Sequence, residues 1–275
     1  AAHAQEGAKG GAQVLTHVAD IADEEAVKSF RDAAVEAFQT DHVNLLFNNA
    51  GIGGGASFVN DDRSEWERTF NVDWLGAYLT TRTFMPLLLA ADEGHIVNTS
   101  SVNGFWASLG PKTPNTAYSA AKFAIKGFTE SLIIDFRLNA PHLHAHVVMP
   151  GHIGTSIILN TARELGYDPG AMDDERLARF RTDLVNRGLP IEEVPDDDLR
   201  GMVKVIGEMF RDNAPVSAAE AATVILDGVL AGKWRILVGA DAEDLDRAVR
   251  ENPEDAYSPE FFSALQALGH MGGAV

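Results

Sequence analysis

Short apolar runs alternate with longer amphipathic stretches along most of the chain. Runs of about four to eight apolar residues are typical of buried strands, and apolar residues repeated every three or four positions are typical of helices that pack on a sheet. The alternation predicts βα units and a parallel sheet, which is an α/β fold. The predicted strands are residues 14–19, 43–48, 95–99, 144–149 and 234–238, and the predicted helices are residues 23–38, 63–89, 118–138 and 218–230.

Residues 156–216 interrupt this alternation. They contain two further helical patterns, at residues 173–186 and 199–211, on either side of the acidic stretch PIEEVPDDD. The acidic run alone is typical of a solvated surface. The apolar triplet that begins at Ile157 favours a lid, because insertions between a strand and a helix of an α/β fold lie at the ligand-binding edge. We therefore expect one domain, residues 1–275, that contains a lid.

The composition narrows the possible functions. The 275 residues include no cysteine, so a disulfide framework, a cysteine-ligated metal site and a cysteine nucleophile are excluded. With 40 acidic and 22 basic residues the formal net charge is −18, which disfavours nucleic acids and anionic membrane surfaces as partners. No run of 18 apolar residues occurs, so no membrane span is expected. The lack of cysteine fits a cytoplasmic enzyme, the location we expect.

Three histidines alternate along one predicted strand, at His142, His144 and His146. On a strand they would share one face, and a His-x-His pair can bind zinc. No carboxylate pattern accompanies them, so half-buried or surface histidines are the favoured interpretation and no metal site is expected.

A tyrosine and a lysine lie four residues apart, Tyr118 and Lys122, on a strong helical pattern. That spacing places both side chains on one helix face. A nearby ammonium favours the phenolate and lowers the tyrosine pKa towards a value useful for proton transfer. Ser100 and Ser101 follow the strand 95–99, where a hydroxyl can hold a substrate oxygen beside the tyrosine.

Two further strands end in small or hydrogen-bonding residues, with NNAG at 48–51 and PGHIGT at 150–155. Asparagine side chains can connect neighbouring loops, while Ala50 and Gly51 let a flat ligand approach the backbone. Open α/β sheets bind ligands at the carboxyl ends of their strands, so these residues indicate a binding site.

These motifs, together with the serine pair and YSAAK at 118–122, resemble in kind and order those of the short-chain dehydrogenase/reductase (SDR) family, in its single-domain branch. The resemblance is close over residues 12 to about 155 and looser over residues 217–240. It implies a doubly wound parallel sheet of the Rossmann type, NAD or NADP as cofactor, and interconversion of a secondary alcohol and a carbonyl.

The resemblance also implies roles for individual residues. Tyr118 would be the general acid/base, Lys122 would hold the nicotinamide ribose and lower the tyrosine pKa, and Ser101 would orient the substrate carbonyl. The implied cofactor-binding residues are Asp20, Ile21, Asn49, Ala50, Gly51, Pro150, Gly151, Ile153 and Thr155, together with Tyr118 and Lys122.

The substrate side is less defined. Trp106 follows the serine pair and is a candidate for the pocket wall, although packing is an alternative role for it. The apolar start of the lid, at Ile157, suggests a bulky or apolar alcohol or ketone. In the family, helices equivalent to 63–89 and 118–138 pair across subunits, which implies a homodimer or homotetramer.

One catalytic position departs from the family, which has an asparagine three residues before a glycine. In FNVDWLG this position is Asp73, and Asn71 is two residues too early. In the family the residue supports a water in a proton relay. Asp73 would either serve the same relay or weaken it.

The glycine-rich phosphate loop of the family is not recognisable. The only candidate, Gly51-x-Gly53-x-x-Ala56, follows a strand but does not lead into a helix, so a dinucleotide fingerprint is disfavoured. In the strand order 3-2-1-4-5-6, residues 14–19 would be strand three and 43–48 strand four, and strands one and two would lie between them. We therefore expect a further N-terminal βαβ segment of roughly 30 or more residues in the biological polypeptide. The residue that selects NAD or NADP would lie in it.

The leading interpretation is an NAD(P)-dependent oxidoreductase. A catalytically silent, nucleotide-binding regulatory relative is the alternative that Asp73 and the missing glycine loop suggest. An epimerase or dehydratase with a retained cofactor is a further alternative.

Overall fold

The computed structural model describes residues 12–267. Its main sheet has four parallel strands, and a pair of two-residue strands forms a second, small sheet. The strands are β1 (Leu45–Asn48), β2 (Gly94–Thr99), β3 (Leu143–Pro150), β4 (Ile153–Gly154), β5 (Val216–Ser217) and β6 (Arg235–Val238). The α-helices are α1 (Glu24–Phe38), α2 (Arg63–Phe70), α3 (Gly76–Leu89), α4 (Thr116–Asn139), α5 (Ile157–Glu164), α6 (Asp174–Arg187), α7 (Asp196–Asp212), α8 (Ala218–Leu230), α9 (Ala240–Glu251) and α10 (Pro259–Ala267).

Helices cover both faces of the main sheet, whose strand order is β1-β2-β3-β6. Successive strand residues point to opposite faces. Accordingly, Ile96 packs with Phe84 and Phe136 of helices α3 and α4, while its neighbour Val97 packs with Val229 of helix α8. The doubly wound α/β architecture predicted from the sequence is confirmed.

The predicted strand at residues 14–19 does not form, and this prediction was wrong. Those residues are extended but pair with no strand, and Val18 is fully exposed. A strand needs a neighbour for its backbone hydrogen bonds, and within residues 12–267 no strand lies between this segment and β1. On β1 itself, one face carries half-exposed Leu45 and Phe47.

The predicted helix 63–89 forms as two α-helices, α2 and α3, with a short π-helical turn at Asn71–Leu75 between them. The other predicted helices form within one to three residues of the expected bounds. Helices α5, α9 and α10 were not predicted, and α10 packs on the loop that contains Trp106.

The insertion 156–216 forms helices α5, α6 and α7 around a small core of its own, which includes Leu177, Leu184 and Leu199. Its two ends are joined at the base, because β4 and β5 pair in parallel with Ile153 opposite Val216. The insertion contacts the rest of the chain through several of its helices, among them α5 and, through the pair of Arg179 with Glu65, α6. Thr161 of α5 accepts a hydrogen bond of 2.7 Å from the backbone N–H of Gly53.

The alternating histidines of β3 lie in three different environments. His144 is exposed, His142 is half-buried, and His146 is buried. His146 Nδ1 donates to the Lys233 carbonyl at 2.7 Å, so its Nε2 is free to accept from His95 Nδ1 at 3.0 Å. Within the described residues no group of three or more His, Cys, Asp or Glu side chains is arranged to hold a metal ion. Among residues 12–267, no helix combines the length and apolar character needed to cross a bilayer.

Burial lowers the pKa of His146, and neighbouring His95 acts in the same direction. The folded chain therefore takes up this proton at lower pH than the unfolded chain. We expect the free energy of unfolding to fall as the pH drops below about 6.5, by at most about 1.4 kcal/mol per pH unit for this one proton. Urea unfolding of wild type and His146→Gln across that range tests the expectation. The slope should shrink in this variant and persist in the exposed control His144→Gln.

Candidate active site

Tyr118 and Lys122 lie one turn apart near the start of helix α4, which begins at Thr116. The Lys122 Nζ lies 5.1 Å from the centre of the Tyr118 ring, and only 4% of the lysine side chain is exposed. The shared helix face expected from the four-residue spacing is thus present.

The Lys122 ammonium is held by two oxygens. Its Nζ donates to the Thr99 carbonyl at 3.2 Å and lies 3.4 Å from Oδ2 of Asp73, whose side chain is fully buried. Although burial favours the neutral amine, the Asp73 carboxylate raises the pKa of Lys122 above its ordinary value. The lysine therefore presents a fixed positive charge next to Tyr118.

Asp73 reaches Lys122 from the π-helical turn between α2 and α3. Its Oδ1 accepts a hydrogen bond of 2.8 Å from the Ile52 backbone N–H, whereas Asn71 is exposed. Single π-helical turns inside α-helices occur frequently at functional sites. The assignment of the family position to Asp73 rather than Asn71 agrees with this placement. Burial raises the pKa of the Asp73 carboxyl, and the Lys122 ammonium opposes that shift.

Gly51, in the loop after β1, approaches the same charged pair. A Cβ at this position would lie 2.9 Å from Asp73 Oδ1 and 3.2 Å from Lys122 Nζ. The absence of a side chain is therefore required here, and it leaves bare backbone beside the ammonium.

Ser101, and not Ser100, carries the hydroxyl expected beside Tyr118. It caps a short 3₁₀ turn, Val102–Gly104, and its Oγ accepts from the Asn103 N–H at 3.1 Å. Its side chain lies close enough to Tyr118 to lower the pKa of the phenol. Ser100 has a different role, because its Oγ donates to the Lys122 backbone carbonyl at 2.7 Å and fixes the helix to β2.

Burial raises the pKa of Tyr118, whereas the Lys122 charge and the Ser101 side chain act to lower it. The net shift is upward, so the expectation that the lysine brings the tyrosine pKa below its ordinary value was wrong for this structure. The phenol keeps its proton at neutral pH, which is the form that can act as an acid.

A buried amide network connects the strands beneath the site, and the sequence analysis missed most of it. Asn48 Nδ2 donates to Thr81 Oγ1 at 2.8 Å and to Asn98 Oδ1 at 2.7 Å, and Asn98 in turn donates to Thr129 at 2.9 Å. Asn98, a polar residue inside the apolar run HIVNT, was the signal that could have revealed it. One residue further along each strand, Asn49 Oδ1 accepts a hydrogen bond of 3.1 Å from Thr99 Oγ1.

The residues expected near the adenine lie beside α2. Asp20 accepts from the Ala22 N–H at 3.0 Å and pairs with Arg68 at 2.8 Å, and Arg68 also pairs with Glu164 of the lid helix α5. The Arg68 bridge was not predicted. Ile21 packs so closely on Gly76 that a Cβ there would lie 2.6 Å from it.

The PGHIGT loop follows β3. The Gly151 N–H donates to the Val238 carbonyl at 3.0 Å, which joins the ends of β3 and β6. Ile153, in strand β4, is 7% exposed, and its side chain packs in the core between the sheet and α8. Only its backbone is therefore left to contact a cofactor. Thr155 and Pro150 are half-buried.

The two substrate-side candidates differ. Trp106 is 3% exposed, donates from Nε1 to the Ala256 carbonyl at 2.7 Å, and packs on Phe261 and Phe262. Its alternative role in packing is therefore favoured, and we do not retain it for the substrate. Ile157 begins helix α5 and is half-buried.

The loop Gly51-x-Gly53-x-x-Ala56 does not have the geometry of a dinucleotide fingerprint. A fingerprint loop leads directly into a helix whose N-terminus faces the pyrophosphate. Here the next helix, α2, begins only at Arg63.

The sequence is similar to those of known proteins over much of its length. A family model described as short chain dehydrogenase matches residues 1–165. SadH of Mycobacterium tuberculosis is 31% identical over 241 residues, which are 87% of this chain and 73% of that protein. Levodione reductase of Leifsonia aquatica is 28% identical over 218 residues, 79% of this chain and 74% of that protein. Trans-4-hydroxycyclohexanecarboxylate dehydrogenase of Sinomonas cyclohexanicum is 34% identical over 156 residues, 57% of each.

A solved structure has the same fold. The short chain dehydrogenase/reductase from Burkholderia phymatum, crystallised in complex with NAD, aligns with a TM-score of 0.64 and 24% identity over 90% of this chain and 79% of that one. Since the family model covers more than half of the sequence and SadH matches most of it, the chain belongs to the short-chain dehydrogenase family.

Proposed function

We propose that the protein is an NAD(P)-dependent oxidoreductase that interconverts a secondary alcohol and a carbonyl, with Tyr118 as general acid/base. The observation that carries the proposal is the buried Lys122 ammonium 5.1 Å from the Tyr118 ring, with Ser101 near enough to act on the same phenol. General acid/base catalysis needs a proton donor within hydrogen-bonding reach of the reacting oxygen, next to groups that stabilise its conjugate base.

The residues at this edge of the sheet fit the nicotinamide end of a cofactor. Gly51 leaves bare backbone beside Lys122, where a Cβ would meet both charged groups. Lys122 would hold the nicotinamide ribose. The loop at 49–51 would line the adenosine side and the loop at 150–155 the nicotinamide side, while Asp20 with Ile21 would lie towards the adenine. When bound, the nicotinamide supplies or accepts the hydride. The NAD complex of the Burkholderia phymatum relative supports this choice of cofactor class.

The chain's own residues account for the proton. In carbonyl reduction, Ser101 orients the carbonyl oxygen and the Tyr118 O–H donates its proton to that oxygen, leaving a phenolate. Lys122, kept charged by Asp73, stabilises the phenolate. In alcohol oxidation, the same phenolate accepts the hydroxyl proton.

The substrate we propose is an alcohol or ketone with a bulky, apolar body. We propose that residues 156–216 form a lid within one domain, and that helix α5, which begins at Ile157, supplies an apolar wall for the substrate. The relatives named for a hydroxycyclohexanecarboxylate and for levodione support a hydroxyl or carbonyl substrate of this type.

Assembly into a homodimer or homotetramer is part of the proposal. Helices α3 and α4 carry exposed large apolar side chains, which a partner subunit would cover. They are Tyr78, Leu89, Phe123, Ile134 and Leu138.

The full polypeptide, assayed with each nicotinamide cofactor on a panel from ethanol to cyclohexanol and their carbonyl counterparts, tests this function. We expect oxidation or reduction of cofactor with the cyclic compounds and little with ethanol. Turnover confined to small polar alcohols would contradict the substrate class. Product formation without net change of cofactor would indicate the epimerase or dehydratase, and cofactor binding without any conversion would indicate the silent relative.

A further inference from the structure

The ends of strands β3 and β6 lie side by side, with Pro150 paired to Val238. The residue after each strand is a glycine, Gly151 and Gly239. The carboxylate of Asp241 fills the space next to both of them. A Cβ at Gly151 would lie 2.2 Å from its Oδ2, and a Cβ at Gly239 would lie 2.3 Å from its Oδ1. Gly239 also has a φ of +104°, which favours glycine.

The Asp241 carboxylate makes one specific contact in that space. Its Oδ2 accepts a hydrogen bond of 2.6 Å from the backbone N–H of His152, inside the PGHIGT loop. Asp241 stands in the first turn of the 12-residue helix α9, where the helix dipole stabilises a negative charge. A charge-assisted hydrogen bond to a loop N–H is stronger than a neutral one, so it restricts the loop to one position.

The same loop residue reaches the lid. His152 Nε2 donates to the Phe210 carbonyl in the last turn of α7 at 2.7 Å, and the two rings lie 4.3 Å apart. Asp241, His152 and Phe210 thus form a continuous connection from α9 through the loop to the lid.

We propose that Asp241 is a positioning residue that sets the PGHIGT loop, the nicotinamide side of the proposed cofactor site, and that His152 passes this position to the lid. The proposal rests on the proposed function for the meaning of the loop. No sequence motif contains Asp241 together with this loop, because Asp241 lies about 90 residues after His152 in the sequence.

Three variants of the full polypeptide test it: Asp241→Ala, Asp241→Asn, and the control Glu243→Ala, which changes an exposed carboxylate in the same helical turn. Removing the acceptor should raise the KM for the nicotinamide cofactor about tenfold. Asparagine keeps an oxygen acceptor and should stay within about threefold of wild type, and the control should not change. A purely structural role would lower the active fraction but leave KM unchanged.

Hydrogen exchange without cofactor gives an independent readout. We expect the amides of residues 150–155 to exchange faster in Asp241→Ala than in wild type and in the control. Wild-type KM and wild-type exchange in Asp241→Ala would overturn the proposal. If Asp241→Ala does not fold, Asp241→Asn replaces it in the test. Exchange at residues 150–155 as fast as that of an unstructured peptide in Asp241→Asn would then overturn the proposal, because this variant keeps the acceptor oxygen. A wild-type protein without nicotinamide turnover would refute the proposed function, while the exchange result would still report on Asp241.

Discussion

Replacing Tyr118 by phenylalanine is expected to lower kcat by about a thousandfold or more, because the variant has no hydroxyl to donate or accept the reacting proton. Burial raises the pKa of Tyr118, so at neutral pH the wild-type phenol carries the proton that a carbonyl oxygen needs. Only one oxygen atom is removed, and Ser101 retains its hydrogen bond from Asn103, so the fold should persist.

Steady-state rates of wild type and Tyr118→Phe provide the measurement, with Tyr78→Phe as the matched control. Tyr78 is 40% exposed on helix α3, and removal of its hydroxyl in Tyr78→Phe should change kcat less than twofold. Circular dichroism and melting temperature should be the same for all three proteins. A Tyr118→Phe variant that keeps a tenth or more of wild-type turnover would refute the role of this tyrosine.

Replacing Lys122 by methionine is expected to have the second large effect, on stability as well as on turnover. The substitution leaves the fully buried Asp73 carboxylate without its cation, and breaking a buried pair on one side costs about 3–5 kcal/mol. The Ile52 N–H would remain as a hydrogen-bond donor to Asp73. Turnover should fall as well, since no positive charge would stabilise the Tyr118 phenolate.

Denaturant unfolding of Lys122→Met, Asp73→Asn and the double variant measures the coupling between the two groups. The double variant should be more stable than Lys122→Met, because asparagine carries no charge into the core. Lys126→Met is the control on the same helix. Its partner Glu130 lies 3.0 Å away at the surface, so its loss should cost about 0–1 kcal/mol. Equal stability of Lys122→Met and Lys126→Met would show that the buried pair is not a strong determinant of the fold.

Much of this site could be predicted from the sequence because its parts are local. Tyr118 and Lys122 share a helix turn, and Ser101 and Gly51 each follow a strand of the main sheet, so periodicity and strand order bring them together. The assignment of the family's catalytic position to Asp73 also followed from spacing, although the π-helical turn that carries this residue did not. That turn depends on tertiary contacts with Ile52 and Lys122, which a linear pattern does not contain.

Other features depend on distant neighbours and were missed. Residues 14–19 have the apolar pattern of a strand, but a strand also requires a pairing partner. The upward shift of the Tyr118 pKa reflects burial, which the Tyr-x-x-x-Lys spacing does not reveal. Asp241 and Arg68 act across about 90 to 100 residues of sequence, and neither lies in a motif.

The pairing of β4 with β5 has a consequence for how this protein can change. Since Ile153 lies opposite Val216, the lid leaves and re-enters the framework at almost the same point. Its helices also pack around a core of their own. Insertions, deletions or wholesale exchange of the segment between these two strands would leave the sheet and the Tyr118 machinery in register. The insertion is therefore joined to the framework as a module whose two ends meet at one point, so its length and sequence can change without moving the strands apart.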